Sequence, residues 1–202
     1  MKPFLLSFCT LLAASSLSVE LPSGASVSAG SAAVSASGSV MTVDQSTARA
    51  VLNWQSFSVG EGASVIFRQP DASSVTLNRV VGGDASRIAG SVTANGSFFL
   101  VNPNGVLFAP GAQVSAASIV ASTLATADAD FMAGRFILDG AGPGLVVNRG
   151  NLTAVGDGRG GLVALVAARV INEGSVGATA GAVALAAADP VPVALGGRVG
   201  VS

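Results

Sequence analysis

The feature that most constrains this chain is a short internal repeat in its second half. Asn148–Ala154 returns as Asn172–Ala178 at a shift of 24 residues, with the Asn, the Gly and the final Ala in matching places. Gly161–Leu165 returns as Gly181–Leu185 at a shift of 20 residues. A repeat of this length that holds two or three short strands is one coil of a β-solenoid. The alternative is a chance match produced by the biased composition.

Short alternating segments favour the same fold along the rest of the chain. Apolar and polar residues alternate over about five residues at a time, as in 63–67, 73–77, 90–94 and 111–115. Residues 116–127 are rich in Ala but also in Ser, Thr and Val, and we predict strand and turn for them. The predicted fold class is therefore all-β, a right-handed parallel β-helix with an N-terminal capping region.

Stacking of the repeats leads to further expectations. Coils lie about 4.8 Å apart, so about 185 residues predict eight or nine coils and a rod of roughly 40 Å. Asn148 and Asn172 would lie one above the other and form a ladder of side-chain amide hydrogen bonds. Residues 21–43 are expected to cover one end of the rod, and the tail 194–202 is expected to form another partial coil.

The composition excludes several classes of protein. Half of the residues are hydrophobic but only 5% are aromatic, which favours a core of closely stacked small side chains. Trp54 and Phe57 are expected in that core or in a cap. Charged residues make up 10% of the chain and the formal net charge is −1, so no basic cluster could hold nucleic-acid phosphates. We expect a folded domain that does not bind nucleic acid.

The N-terminus has the pattern of a secretory signal peptide. Lys2 supplies a positive charge, residues 4–12 are apolar, and the small residues 13–16 offer a cleavage site. Residues 1–16 are therefore predicted to be a signal peptide, with a buried N-terminal helix as the alternative. The apolar stretch is shorter than the roughly 20 residues that cross a membrane. After the signal no window has 18 uninterrupted apolar residues, so we expect no membrane insertion of the mature chain, which begins near residue 17.

The ionisable residues do not form a pattern typical of a catalytic or metal site. β-Helical lyases and hydrolases need clustered carboxylates. In this sequence Asp128 and Asp130 are the only close pair, expected to share one face of a strand, and there is no His. The Gly-rich segment 156–161 occurs once, without the tandem period of calcium-binding repeats. We therefore predict no catalytic residue, no metal and no cofactor.

Several ordered segments of the chain resemble one known family. They are residues 53–60, 75–83, 88–90, 94–96, 99–108 and 129–136, and the strongest reads FLVNPNGVLF at 99–108. Together they resemble the secretion domain of two-partner secretion exoproteins, the filamentous haemagglutinin family. One departure is Asp84-Ala85-Ser86, where the family often has an Asn-Pro-Ser turn. Asp can accept the same local backbone hydrogen bonds, but a partner contact through that turn is then in question.

The resemblance implies a route and a partner for the chain. Such proteins cross the inner membrane by a signal peptide and engage an outer-membrane β-barrel transporter of the TpsB type through its periplasmic docking domains. Residues 17–202 are then expected to be a two-partner secretion domain that is secreted or held at the cell surface. Many full-length members are adhesins. The alternative function is therefore an adhesin, or the N-terminal fragment of one, that binds a host-cell receptor or carbohydrate.

The candidate recognition residues lie in two segments. Asn102-Pro103-Asn104-Gly105 has the residue types of a type I turn, because Pro103 presets φ and Asn102 can bond its own backbone. This turn either only shapes the chain or also contacts the transporter. Asn78 and Arg79 leave the same two interpretations open, since a single Arg in a strand is usually solvated or ion-paired.

Overall fold

The chain winds into stacked coils whose strands line three faces. The computed structural model describes residues 19–140, 142–158, 160–187, 191–194 and 198–199. The signal peptide expected at residues 1–16 lies outside the described residues.

Each face is one β-sheet. The first sheet consists of β1 (Ser26–Ala29), β4 (Arg49–Trp54), β6 (Val75–Val80), β9 (Ser97–Val101), β12 (Ser118–Ser122), β16 (Leu162–Val166) and β19 (Ala182–Ala186). The second consists of β2 (Ala32–Ser37), β3 (Val40–Gln45), β5 (Ser64–Arg68), β8 (Ser91–Ala94), β11 (Gln113–Ala116), β15 (Asn151–Ala154) and β18 (Ser175–Ala178). The third consists of β7 (Ser86–Ile88), β10 (Val106–Phe108), β14 (Val146–Asn148) and β17 (Val170–Asn172). Outside the coils lie helix α1 (Asp128–Met132) and a fourth sheet of β13 (Phe136–Leu138), β20 (Val191–Ala194) and β21 (Arg198–Val199).

Each coil adds one parallel strand to the first sheet. The strands pair in steps of 26, 22, 21, 44 and 20 residues, at the positions Arg49, Val75, Ser97, Ser118, Leu162 and Ala182. The predicted parallel β-helix is therefore confirmed. The expected eight or nine coils are wrong, because the described part of the first sheet has six parallel strands. Much of the remaining chain forms the N-terminal cap and the long step of 44 residues from Ser118 to Leu162. Six layers span about 24 Å, less than the expected rod of roughly 40 Å.

The core follows from the alternation of side chains along each strand. The first coils bury aromatic rings. Trp54 meets Phe57 edge-on with the ring centroids 5.3 Å apart, and Phe98 lies 5.9 Å from Phe57 and 5.3 Å from Phe67. The later coils fill the corresponding space with aliphatic side chains, among them Ile119, Val163 and Leu165.

Antiparallel strands close the N-terminal end of the stack. β1 pairs antiparallel with β4, and β2 pairs antiparallel with β3. Both strands cover backbone edges that the first coil would otherwise expose to other chains. The expected cap within residues 21–43 is confirmed for β1 and β2, whereas β3, which begins at Val40, pairs parallel with β5 and belongs to the first coil.

The C-terminal segment, as far as the structure describes it at 191–194 and 198–199, does not form the partial coil that was expected for residues 194–202. In its described part, β20 pairs antiparallel with β13 and with β21, so the chain turns back beside the stack. In the last coil, Val183 and Leu185 stack on Val163 and Leu165 but stay 47% and 50% exposed. The final layer of the core is therefore only half covered.

An excursion from the coils, residues 123–140, covers the outer face of the first sheet. That face is apolar as well, and Phe99 on it lies 5.6 Å from Phe131 and 5.2 Å from Phe136 between ring centroids. Phe131 and Phe136 are in turn 5.2 Å apart. The first sheet is thus buried on both sides, once by the coil interior and once by the excursion.

The start of the excursion agrees in part with the sequence prediction. Residues 116–127 contain the end of β11, strand β12 and a turn, as expected. Asp128 and Asp130 lie on α1 and not on one face of a strand. Since α1 has five residues, no helix in the described segments is long and apolar enough to cross a membrane.

Truncating a stacked aromatic ring is expected to destabilise the whole domain. Phe98 is 1% exposed, so Phe98→Ala should lower the free energy of unfolding by about 3–5 kcal/mol through the cavity it leaves. Val155 is 54% exposed, and Val155→Ala should change it by less than about 0.5 kcal/mol. Urea unfolding of both variants measures this, and equal losses would contradict the position of Phe98 in the core.

Candidate functional site

The motif Asn102–Gly105 forms a tight turn after β9. Gly105 N donates to Asn102 O at 3.0 Å, and Asn104 N donates to Asn102 Oδ1 at 3.0 Å. The second bond is that of an Asx turn. Gly105 has φ +117°, where a side chain would be strained. All of these features arise within four consecutive residues, so the turn is local.

Asn102 is the inner residue of the turn. It is fully buried, and its Nδ2 donates to Asp84 O at 2.9 Å and to Ser86 Oγ at 3.0 Å. The segment Asp84-Ala85-Ser86, which departs from the family's usual residues, therefore still supplies two acceptors. Because its amide is buried and bonded, Asn102 maintains the shape of the turn and is not accessible to a partner.

Pro103 and Asn104 are the outer residues of the turn, and both are half-buried. Asn104 Nδ2 donates to Gly82 O at 3.0 Å, and Gly144 N donates to Pro103 O at 3.0 Å. A Cβ atom on Gly144 would lie 2.3 Å from the carbonyl carbon of Asn104, so only Gly allows this backbone contact. Three segments that are distant in sequence thus meet at the turn.

Asn78 and Arg79 point to opposite sides of β6. Asn78 is fully buried; its Oδ1 accepts from Trp54 Nε1 at 3.0 Å, and its Nδ2 donates to Phe99 O at 3.1 Å. Arg79 points outwards and contacts the excursion. The two neighbours therefore do not form one recognition site.

Arg79 fastens the excursion to the coils. Its Nη2 donates to Thr126 O at 2.8 Å and to Asp128 Oδ1 at 2.5 Å. Ser28 Oγ, in the cap strand β1, donates to Asp128 Oδ2 at 2.6 Å. Burial raises the pKa of Asp128, but the bonds from Ser28 and Arg79 outweigh it and hold that pKa below its ordinary value. One carboxylate thus joins the cap, the first sheet and the excursion.

Asn148 and Asn172 stack across β14 and β17. Asn148 Nδ2 donates to Asn172 Oδ1 at 2.8 Å, and Asn148 Oδ1 accepts from Gly150 N at 3.0 Å. On β10, the strand on the other side of β14, the residue paired with Asn148 is Phe108 and not an asparagine. The asparagine stack therefore has two members in the described coils.

The candidate residues lie at three places rather than one. Asn78 and Arg79 lie on β6, one layer away from β9, the strand that leads into the turn. They pair there with Leu100 and Val101. Asn148 and Asn172 lie in the third sheet and bond with neither group. The turn is the candidate with outward-facing residues, whereas the buried and ion-paired side chains support the fold.

A buried polar network that the sequence did not predict links the first coils. Thr76 Oγ1 donates to Gln45 Oε1 and accepts from Gln69 Nε2 at 3.0 Å, and Gly96 N donates to Gln69 Oε1 at 2.8 Å. Its residues come from three successive coils, with Gln69 and Thr76 in the middle one, so only the register between coils could have revealed it. Among the residues that the structure describes, no three His, Cys, Asp or Glu side chains are grouped to hold a metal.

Comparison with known proteins gives the family. The TPS secretion domain, that of two-partner secretion, matches residues 19–195. The chain belongs to the TPS secretion domain family. The resemblance found in the sequence is therefore confirmed, and the chain is a secretion domain of the kind carried by secreted or surface-exposed exoproteins.

Solved TPS secretion domains have the same fold. The HMW1 secretion domain from Haemophilus influenzae superposes with a TM-score of 0.82 at 27% identity, over 90% of this chain and 49% of that chain. The filamentous hemagglutinin secretion domain superposes with a TM-score of 0.61 over 89% of this chain and 67% of that chain. At 19% identity, the second likeness shows the fold alone.

Two curated relatives are heme/hemopexin-binding proteins of Haemophilus influenzae. One, from strain Rd, is 49% identical over 104 residues, which are 52% of this chain and 12% of the relative. The other is 45% identical over 83 residues, which are 41% of this chain and 9% of the relative. This TPS secretion domain therefore matches about a tenth of the length of these relatives.

Asn102→Ala is expected to destabilise the domain more than Asn104→Ala. The first change removes three hydrogen bonds at a fully buried site and should cost about 1–3 kcal/mol. The second removes one side-chain bond at a half-exposed site and should cost about 1 kcal/mol or less. Urea unfolding of the purified variants tests this; equal costs would argue against separate inner and outer roles.

Acid is expected to weaken the contact between Asp128 and Arg79. Because folding lowers the pKa of Asp128 from its ordinary 3.8, its ionised form stabilises the fold above that value, and this stability is lost as the pH falls through the lower folded value. At pH 7, Asp128→Asn should cost about 1 kcal/mol, since both side chains are partly exposed. As the pH falls below the lowered folded pKa of Asp128, the variant and the wild type should become equally stable.

Thermal unfolding from pH 7 to pH 2.5 measures this difference. Asp44→Asn is the matched control, because the Asp44–Arg68 pair is longer, at 3.7 Å, and more exposed. A cost of Asp128→Asn that did not shrink as the pH fell below 3.8 would show that the ionised carboxylate is not its source.

Proposed function

We propose that this secretion domain is recognised by a dedicated outer-membrane β-barrel transporter of the TpsB type through periplasmic docking domains. The protein is then presented at the cell surface or released. The observation that carries the proposal is the match of the TPS secretion domain to residues 19–195. The TM-score of 0.82 with a solved secretion domain supports it. Two-partner secretion is by definition a pairing of an exoprotein with a transporter.

The route through the periplasm is part of the same proposal. Residues 1–16 direct the chain across the inner membrane and are removed, and residues 17–202 continue as the exported domain. Lys2 and the apolar stretch 4–12 support this assignment, as does the start of the family match at residue 19.

Within the turn, Pro103 and Asn104 are the residues that contact the transporter. They are half-buried, whereas Asn102 is fully buried. The hydrogen bonds that close the turn lie within four residues, so the turn can form before the coils stack. Asn78 and Arg79 have an architectural role in this proposal, because their bonds all join parts of the same domain.

The domain acts by being recognised and not by catalysis. Its family is defined by secretion. Asp128 and Asp130, the closest acidic pair in the sequence, have separate partners, Arg79 and Arg135. They therefore do not share a proton as a catalytic pair of carboxylates would.

An adhesin that binds a host-cell receptor or carbohydrate is the alternative proposal. The names of the two curated relatives indicate binding of heme and hemopexin, but the matched segments are only 12% and 9% of those proteins. Their ligand sites need not lie in the part that this chain shares.

The outer residues of the turn are expected to affect export more than stability. Asn104→Ala or Pro103→Ala should lower the amount of secreted protein about tenfold, the effect of losing roughly 1.4 kcal/mol of binding. The assay measures protein in the medium after expression with and without the partner transporter. Asn151→Ala is the matched control, because Asn151 is also half-buried and donates one side-chain bond, to Gln113 Oε1 at 3.2 Å.

Two results would count against this proposal. Equal secretion of the wild type with and without the transporter would show that export does not use two-partner secretion. If the Pro103 and Asn104 variants were secreted as well as the Asn151 control, the turn would not be part of the recognition surface.

A further inference from the structure

The outer face of the third sheet carries a row of side chains that the secretion role does not use. Arg87, Leu107, Val147 and Ile171 pair in register across β7, β10, β14 and β17. The residues that alternate with them, such as Phe108, are buried in the coil interior. The row therefore points outwards, and three of its four members are aliphatic.

A groove lies over the middle of this row, at Leu107 and Val147, and reaches the turn. Its volume is about 440 Å³, and Asn104, Leu107, Leu145, Val147 and Arg149 are among the residues that line it. Leu145 is 40% exposed and lies beside the row, since its carbonyl accepts from the first residue of β10 at 3.0 Å. Apolar side chains thus line a groove that is open to solvent.

Arginines lie on both sides of the groove, in the strands next to those that line it. Arg87 belongs to β7, at one edge of the third sheet, and Arg169 immediately precedes β17, at the other edge. Both are exposed, and neither side chain has a hydrogen bond or ion pair with the residues that the structure describes. Arg149, between them, bonds with Glu173 at 2.8 Å. Two exposed cations therefore flank an apolar floor.

We propose that this groove binds an extended protein segment that carries apolar and acidic side chains. Its carboxylates pair with Arg87 and Arg169, and its apolar side chains cover Leu107, Leu145 and Ile171. The four strands of the row span about 14 Å at their usual spacing, the length of about four extended residues. The row from Arg87 to Ile171 exists only when four coils are stacked, so the partner meets the folded domain.

The charges favour such a segment over two other occupants. A second copy docked through the same face by twofold symmetry would confront a surface with the same excess of arginine, and like charges repel. Anionic membranes attract clusters of about four to eight Lys or Arg, whereas this groove has two unpaired arginines. Both occupants are nevertheless distinguished by the experiment.

The test uses the refolded full chain and a fluorescently labelled ten-residue peptide of alternating Glu and Leu. Fluorescence anisotropy should show saturable binding, and Arg87→Glu with Arg169→Glu should raise its Kd about tenfold. Arg68→Glu is the control, because Arg68 is an exposed arginine of the second sheet. Leu145→Ser should also raise the Kd about fivefold, with Val155→Ser, an exposed valine elsewhere, as its control.

Specific outcomes would overturn the proposal. They are no saturable binding, equal binding of a peptide in which Lys replaces Glu, or equal effects of the groove variants and their controls. Binding of vesicles with anionic phospholipid, lost in the Arg87 and Arg169 variant while the peptide fails to bind, would assign the groove to a membrane. Dimerisation in sedimentation that the same variant abolishes would assign it to a second copy. None of these results depends on whether the transporter is needed for export.

Discussion

Backbone hydrogen bonding between successive coils is the constraint on which the rest of this structure depends. Each parallel strand uses its N–H and C=O groups on the layers before and after it, so the ladder can end only where another element covers it. At the start of the stack, the antiparallel strands β1 and β2 provide that cover. Because paired positions repeat in every layer, each interior side chain must fit against the side chains directly above and below it in the stack. This favours small and aliphatic side chains such as Ala50, Ala121 and Val163 inside the coils.

The first sheet shows how the same constraint produces the excursion. Its outward positions are apolar, with Leu77, Phe99 and Val120 all buried, so the sheet needs cover on both faces. The excursion supplies Phe131 and Phe136 for this purpose, and Arg79 and Asp128 hold it in place. The ion pair lies beside a hydrophobic cluster that already fixes the position of the excursion. It therefore orients the excursion, while burial of the aromatic rings supplies most of its stability.

Local features of the fold were predictable from the sequence, and long-range ones were not. The turn at Asn102–Gly105 and the stacking of Asn148 on Asn172 depend on adjacent residues or on one clear repeat. The predicted number of coils was wrong because the step from Ser118 to Leu162 is 44 residues, about twice the repeat, and the repeat itself gives no sign of the excursion inside this step. The network of Gln45, Gln69 and Thr76 and the groove of the third sheet were missed for a related reason. Their members come from different coils, and irregular steps conceal which residues become neighbours.

The turn and the groove illustrate two kinds of surface that such a chain can present. The turn is closed by bonds from Gly105 and Asn104 back to Asn102, so a segment of four residues can display Pro103 and Asn104 before any coil has stacked. The groove and the row around it bring Arg87 and Ile171 onto one face only through the register of four strands. A partner that meets the chain before it folds can therefore use the turn but not the groove, and a partner that meets the folded domain can use both. Asn104 also lines the groove. It is therefore displayed both in the isolated turn and in the folded domain. Asn102, fully enclosed after folding, is available to a partner only until the coils close around it.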